Sequence, residues 1–160
     1  DPKRFKFPRP LLREQRLDFS FSGLKTAVRL QAEALAPLSD QDVADIAASF
    51  QAAVTEIVAT RSRQALERFK AELPDAQPQL VVAGGVAANQ QIAAALLKVV
   101  AEAGAKLVVP PIALCTDNGA MVAWAGAERL ALGRRDGLEV VARPRWPLDT
   151  PDMKVDADVA

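Results

Sequence analysis

The chain has 160 residues, of which half are hydrophobic and a quarter charged, and its 20 basic side chains balance its 20 acidic ones. This composition excludes an intrinsically disordered protein, which would have fewer apolar residues and a larger net charge. No uninterrupted apolar run approaches the ~20 residues that span a bilayer, so a membrane protein is not expected. A zero net charge argues against attraction of the whole surface to nucleic acid, although it allows a local basic patch.

The absence of histidine and the single cysteine exclude several kinds of catalytic and metal-binding site. The chain has no histidine, so the commonest general base and the commonest transition-metal ligand are both missing. Its single cysteine, Cys115, cannot form an internal disulfide, and nothing indicates an oxidising compartment. The chain opens at Asp1 rather than at methionine, and no apolar signal-peptide core precedes Phe5. We therefore expect the sequence to be a piece of a longer protein.

The two ends differ from the middle in charge. Residues 1–16 carry six Lys and Arg against two acidic residues, together with three prolines, which predicts an extended basic arm. Residues 149–160 carry four Asp against one Lys, which predicts a disordered acidic tail. Residues 17–148 are expected to form the folded part.

The first folded segments are predicted from periodicity. Apolar residues alternate with polar ones over residues 17–22, which predicts a half-buried strand that Gly23 ends. A helix follows as far as Pro37, and Ser39 with Asp42 is typical of a capping box at the start of the next helix. That second helix should end before Pro74. Four basic residues are expected to lie largely off its apolar face: Arg61, Arg63, Arg68 and Lys70.

The second half of the folded part has the pattern of a strand–helix–strand unit. Residues 80–83 and 106–109 are short apolar runs, and a helix between them should end at Gly104. The two strands should therefore be parallel and buried on both faces. A last helix is predicted from about Thr116 to Leu132. The fold class is α/β, with several helices and a short, mainly parallel sheet whose edges need partners.

The first candidate site is the glycine pair Gly84–Gly85, which follows the first strand of this unit. In open α/β sheets, ligands bind outside the carboxyl ends of the strands, and glycines allow close approach of the backbone. Asn89 offers both an acceptor and donors to a ribose or base edge. The alternative is a tight turn in which Asn89 only caps the next helix.

The second candidate is Asp117, which follows the second strand in the segment 115–119. The same rule for strand ends predicts that it faces the glycine pair across one cleft. Asp117 is a hard oxygen donor for a metal or a base. Alternatively, residues 116–118 only cap the last helix, and Cys115 is a small buried residue.

Two further segments are candidates for binding anions or nucleic acid. Ser22 and Lys25, in the segment 19–26, lie at a predicted helix amino terminus that suits an anion. The basic arm and the sequence Arg143-Pro144-Arg145-Trp146 combine cations with an aromatic ring, which suits a nucleic-acid backbone and an unstacked base. A plain strand-to-helix junction and ordinary surface solvation are the respective alternatives.

Four separated motifs occur together in a familiar order: Asp18 to Thr26, Val82 to Asn89, Cys115 to Met121, and Arg143 to Trp146. Together they resemble the carboxyl-terminal half of the bacterial tRNA threonylcarbamoyladenosine transferase family, once described as O-sialoglycoprotein endopeptidase. The match extends to about Leu148. The resemblance implies that residues 17–148 are part of the second domain of an actin-like ATPase fold, in the superfamily of sugar kinases and heat-shock 70 proteins.

The resemblance also implies a reaction. The family transfers a threonylcarbamoyl group from threonylcarbamoyl-AMP to the adenosine beside the anticodon, in tRNAs that read codons beginning with adenine. Its nucleotide site uses residues matching Gly84, Gly85 and Asn89. Its iron or zinc ion is held by two histidines and by an aspartate that matches Asp117, the expected catalytic residue. The implied partners are tRNA, a paralogous actin-like subunit and a small ATPase, in the cytoplasm and without a membrane.

The chain departs from the family in two respects. It has no histidine pair, and one carboxylate is a poor site for a transition metal. The first actin-like half is also absent. We therefore expect the 160 residues alone to lack transferase activity. Two alternatives stay open: a non-catalytic module that binds tRNA or a partner protein, and an actin-like kinase or ATPase acting on a small molecule.

Overall fold

A computed structural model describes residues 1–139 and residue 141. The chain divides into two compact units, residues 1–118 and 119–160. The first unit contains the helices α1 (Leu24–Leu35), α2 (Asp40–Glu72) and α3 (Gln90–Ala103) and the strands β1 (Gln79–Val81) and β2 (Lys106–Val108), and the second contains α4 (Gly119–Ala131). The predicted motif at residues 143–146 and the predicted acidic tail lie outside the described residues.

The helix α2 is the longest element of the first unit. Its start is the predicted capping box: the Ser39 hydroxyl accepts from the Asp42 N–H at 3.2 Å, and the Asp42 carboxylate accepts from the Ser39 N–H at 3.0 Å. With 33 residues, α2 is about 50 Å long. It therefore reaches two separate clusters of buried side chains.

The amino-terminal segment, residues 1–16, packs on α2, which differs from the predicted extended arm. Phe7 is buried in a cluster with Leu24 of α1 and Ile46 of α2. The Arg4 guanidinium donates to Asp45 at 2.9 Å and to Asp42 at 2.5 Å. Apolar burial and ion pairing together hold the segment against the helix, because both are lost if it extends into solvent.

The strand predicted over residues 17–22 is wrong. Within the described residues, the strands are β1 and β2, and residues 17–22 have no strand partner. Phe19 and Phe21 are instead about half exposed, and their rings stack with centroids 6.5 Å apart. The alternation arises because both rings line an apolar groove.

The parallel pair of strands is confirmed. Gln79 lies opposite Lys106, and Val81 lies opposite Val108. Leu80 and Leu107 pack against a cluster of Leu66 from α2 with Val99 and Val100 from α3. Burial on both faces is wrong, however: Val81 is 65% exposed, since only one face of the sheet packs on these helices.

Two properties of α2 were not expected. Arg61, predicted to lie largely off the apolar face, is 1% exposed. Among the described helices, α2 also passes a length and composition test for a membrane span, which is weak evidence because long core helices pass it too. Its buried Asp45 and Ser49 contact the amino-terminal segment, as expected for a helix that packs within a protein.

Candidate functional site

The glycine pair forms an open turn after β1. Gly84 has a φ of 84°, in the region where a side chain is strained, and Gly85 starts a short 3-10 turn that ends at Ala88. A Cβ placed on either glycine would meet no atom within 4 Å. Gly84 is therefore required by backbone conformation, while the space beside both residues is open to a ligand.

Asn89 caps α3, the local contact that the structural alternative for this residue predicts. Its Oδ1 accepts from the N–H groups of Gln91 at 3.0 Å and Ile92 at 3.1 Å. Its Nδ2 donates to Oε1 of Gln51 on α2 at 3.3 Å. Capping does not exclude binding, because the amide has two N–H donors and only one is used in these contacts.

Asp117 lies in a loop whose neighbouring residues are anchored. Cys115 is buried, as the alternative for that residue predicted, and its Sγ is 3.6 Å from the Pro110 carbonyl oxygen. The Asn118 Nδ2 donates to the carbonyls of Thr116 at 2.9 Å and Leu114 at 3.4 Å. Asp117 itself is exposed, and within the described residues its carboxylate has no hydrogen bond or ion pair. The loop thus presents a free carboxylate to solvent.

The strand register relates the two candidate loops. Val81 and Val108 are paired at the carboxyl ends of β1 and β2, and the Val82 N–H donates to the Val108 carbonyl at 3.0 Å. The glycine turn and the Asp117 loop each follow one of these adjacent ends. A cleft shared by Asn89 and Asp117 stays a prediction that this register supports.

An apolar groove brings the third candidate segment next to the glycine turn. The groove has a volume of about 670 Å³, which lies in the usual range for small-molecule pockets. Its walls come from the segment before α1, from α1 and α2, and from the turn: Phe19, Phe21, Leu24, Lys25, Val28, Phe50, Val54, Val58 and Val86. Lys25 is one of these lining residues and is exposed. Ser22 does not line it, and the amino terminus of α1 has no side-chain cap.

The basic residues of the amino-terminal segment divide into two kinds. Arg9 already has partners within the protein: its Nε donates to Glu56 at 2.8 Å, and its Nη1 donates to the Phe7 carbonyl at 2.6 Å. Arg13 is exposed and has no ion pair within the described part of the chain. Of these two arginines, Arg13 is the better placed for the predicted contact with nucleic acid.

These residues do not hold a transition metal by themselves. The part of the chain that the structure describes has no cluster of three or more His, Cys, Asp or Glu side chains that could hold one, and the sequence has no histidine. The exposed Asp117 carboxylate is one oxygen ligand, whereas iron and zinc sites need several ligands with nitrogen or sulfur among them.

Comparison with known proteins decides the family. The model of the tRNA N6-adenosine threonylcarbamoyltransferase family, TsaD, matches residues 1–124. The chain belongs to this family. The glycine turn, Asn89 and Asp117 all lie inside the matched range.

Individual family members agree over nearly the whole chain. The tRNA N6-adenosine threonylcarbamoyltransferase of Brucella anthropi is 61% identical over 150 residues, which is 93% of this chain and 42% of that protein. The proteins of the same name from Brucella ovis and Brucella suis are 60% identical over 156 residues, 97% of this chain and 44% of theirs. The chain thus spans under half the length of the curated relatives it matches.

Sequence patterns did not indicate two residues that the structure places in important contacts. Gln51 was one polar position among many on a long helix, and only its contact with Asn89 distinguishes it. The helical pattern predicts that Arg61 lies largely off the apolar face and does not indicate its burial, because the carbonyls that it binds belong to residues 47 and 50 positions away.

Proposed function

We propose that the full-length protein containing this chain transfers a threonylcarbamoyl group from threonylcarbamoyl-AMP to the adenosine beside the anticodon of tRNAs that read codons beginning with adenine. The carrying observation is the 60–61% identity, over 93–97% of the chain, to proteins named tRNA N6-adenosine threonylcarbamoyltransferase. The chain is proposed to be part of the second domain of an actin-like ATPase fold, which suits its α/β unit with parallel strands.

The proposed role of the glycine turn is to bind the nucleotide. Gly84 and Gly85 leave open space beside the backbone, and Asn89 keeps one N–H for a ligand. The adjacent groove offers an apolar wall with two stacked phenylalanine rings, which suits the planar base of an adenylate. Lys25 at the groove is a suitable partner for its phosphate.

The proposed role of Asp117 is to supply one ligand of a metal site that other parts of the full-length protein complete. Two histidines from another segment are the proposed nitrogen ligands, and iron or zinc is the proposed ion. When bound, such an ion supplies Lewis acidity. The residues of this chain contribute a carboxylate that is exposed and held in an anchored loop.

The proposed partners are tRNA and the other proteins of the threonylcarbamoylation complex, a paralogous actin-like subunit and a small ATPase, in the cytoplasm. The exposed Arg13 supports contact with a nucleic-acid backbone. Neutral net charge restricts that contact to a local patch.

The test is a reconstituted transfer reaction. The full-length protein, its partner proteins, threonylcarbamoyl-AMP and a substrate tRNA are combined, and the modified nucleoside is measured by mass spectrometry after digestion. We expect modified nucleoside with the full-length protein and none with the isolated 160 residues. Absence of product from the full-length protein would favour a non-catalytic binding module. Phosphorylation of a small molecule in its place would favour the kinase alternative.

A further inference from the structure

We propose that Gln51 is a positioning residue that fixes the Asn89 amide for nucleotide binding, an inference that rests on the proposed binding role of the glycine turn. The two side chains meet between α2 and the amino terminus of α3. Asn89 Nδ2 donates to Gln51 Oε1 at 3.3 Å, across 38 residues of sequence.

The hydrogen bonds of Asn89 define one orientation of its amide. Oδ1 accepts from the N–H groups of Gln91 and Ile92, and one Nδ2 hydrogen goes to Gln51. A flipped amide would place NH₂ against two N–H donors and oxygen against oxygen. An asparagine amide has two acceptor sites and two hydrogens, so these contacts leave one hydrogen for a ligand.

The packing of α2 fixes the position of Gln51, which contacts the side chain of Asn89. On α2, Ile57 is 1% exposed, and on α3, Ile92 is buried. The two helices contact each other, and Leu66 of α2 shares a buried cluster with Val99 of α3. Because close-packed side chains resist displacement, the Gln51 oxygen has a defined position relative to α3.

This arrangement predicts separate effects on folding and binding. The cap of α3 uses Oδ1 and the backbone of α3, so loss of Gln51 Oε1 leaves it in place. The Asn89 Nδ2 group then loses its hydrogen-bond partner. A nucleotide that binds it must therefore fix the position of this group, which Gln51 otherwise fixes in advance. For one neutral hydrogen bond, we expect nucleotide binding to weaken about three- to tenfold.

The experiment uses the full-length protein, with AMP as the probe in titration calorimetry. Gln51→Leu removes the acceptor oxygen, and Gln51→Glu keeps an oxygen at the same reach. Gln31→Leu is the matched control, because Gln31 on α1 is also partly buried and has no polar partner within the described residues. We expect an increase in Kd for Gln51→Leu only, with a melting temperature equal to that of the control.

Several outcomes would overturn the proposal. One is an unchanged Kd in Gln51→Leu, and another is an equal loss in Gln51→Glu, which would assign the effect to packing. If Gln51→Leu does not fold, Asn89→Asp tests the same contact, since it keeps the capping oxygen and removes the donor. A normal Kd there would also contradict the proposal.

Asn89→Ala separates this inference from the proposed function. If Asn89→Ala leaves the AMP Kd unchanged, the proposed nucleotide site at the glycine turn is misplaced and the role of Gln51 fails with it, whereas the transfer reaction of the full-length protein is decided by the reconstitution. If Asn89→Ala weakens binding but Gln51→Leu does not, only the role of Gln51 fails.

Discussion

The Arg61 guanidinium donates from Nη2 to the backbone carbonyl of Leu11, so a buried cation on α2 holds a loop of the amino-terminal segment. Its Nη1 donates to the Glu14 carbonyl at 2.7 Å and to Gln64 Oε1 at 2.5 Å. Leu11 has a φ of 62°, which is unusual for a residue with a side chain. The contacts of Arg61 therefore stabilise a strained turn.

The first prediction concerns this cation. Arg61→Met keeps most of the apolar stem but removes the charged donor from the Leu11 and Glu14 carbonyls, which then keep only the Glu14 N–H and the Gln64 amide, so unfolding should require about 1–3 kcal/mol less free energy. Arg63→Met on the same helix loses only a surface ion pair with Glu102 and should cost under about 1 kcal/mol. Urea denaturation of both variants measures the difference. Equal losses would show that the carbonyl contacts of Arg61 contribute nothing specific.

The contrast between Ser39 and Arg61 shows which parts of the fold could be predicted from sequence. Ser39 and Asp42 are three residues apart, so their capping box is a local signal and the start of α2 was correctly predicted. The parallel pair was also predictable, because a helix of this length between two short apolar runs forces the second strand to run parallel to the first.

The errors arose where partners are distant in sequence. The alternation around Phe19 and Phe21 has the period of a strand, but their rings line a groove formed with α1 and α2. At the site, the glycine turn and the cap by Asn89 followed from local pattern. The contact with Gln51 did not, since helical periodicity does not specify which polar position meets another element.

The second prediction separates capping from binding at Asn89. Asn89→Ala removes the acceptor of two backbone N–H groups and should lower the free energy of unfolding by about 1 kcal/mol, whereas Asn89→Asp should leave it nearly unchanged. Thermal melts of both variants give the comparison. A loss in Asn89→Asp as large as in Asn89→Ala would argue against the cap.

The third prediction is a pH dependence that originates at Asp45. In the 160-residue polypeptide, residue 1 carries a free amino group, and this group and then the Arg4 guanidinium lower the pKa of the Asp45 carboxyl from 3.8 to about 2. Because the pKa is lower in the folded protein, the ionised Asp45 carboxylate stabilises the fold at pH values above 3.8. This stabilisation is lost as the pH falls from 3.8 through about 2. We therefore expect the free energy of unfolding of the 160-residue polypeptide to change less between pH 4 and pH 2 in Asp45→Asn than in the unsubstituted chain. Identical slopes for the two proteins would contradict the ion pairs.

The fourth prediction assigns contact with tRNA to Arg13 rather than to Arg9. In the full-length protein, Arg13→Gln should reduce the slope of log affinity against log salt by about one, the value for one lost phosphate contact. Arg9→Gln should change that slope less, because Arg9 already pairs with Glu56. Filter binding over a salt series measures both slopes. An unchanged slope in Arg13→Gln would reassign this segment to packing alone.

The central claim is that Asp117 serves the transfer reaction of the full-length enzyme. The decisive measurement is the threonylcarbamoyladenosine content of tRNA modified by the full-length Asp117→Ala variant, with Asp75→Ala in an exposed loop as the control. The account predicts near-complete loss of the modified nucleoside for Asp117→Ala and normal content for the control. Normal content in Asp117→Ala would contradict the account and leave a binding module without chemistry at this loop.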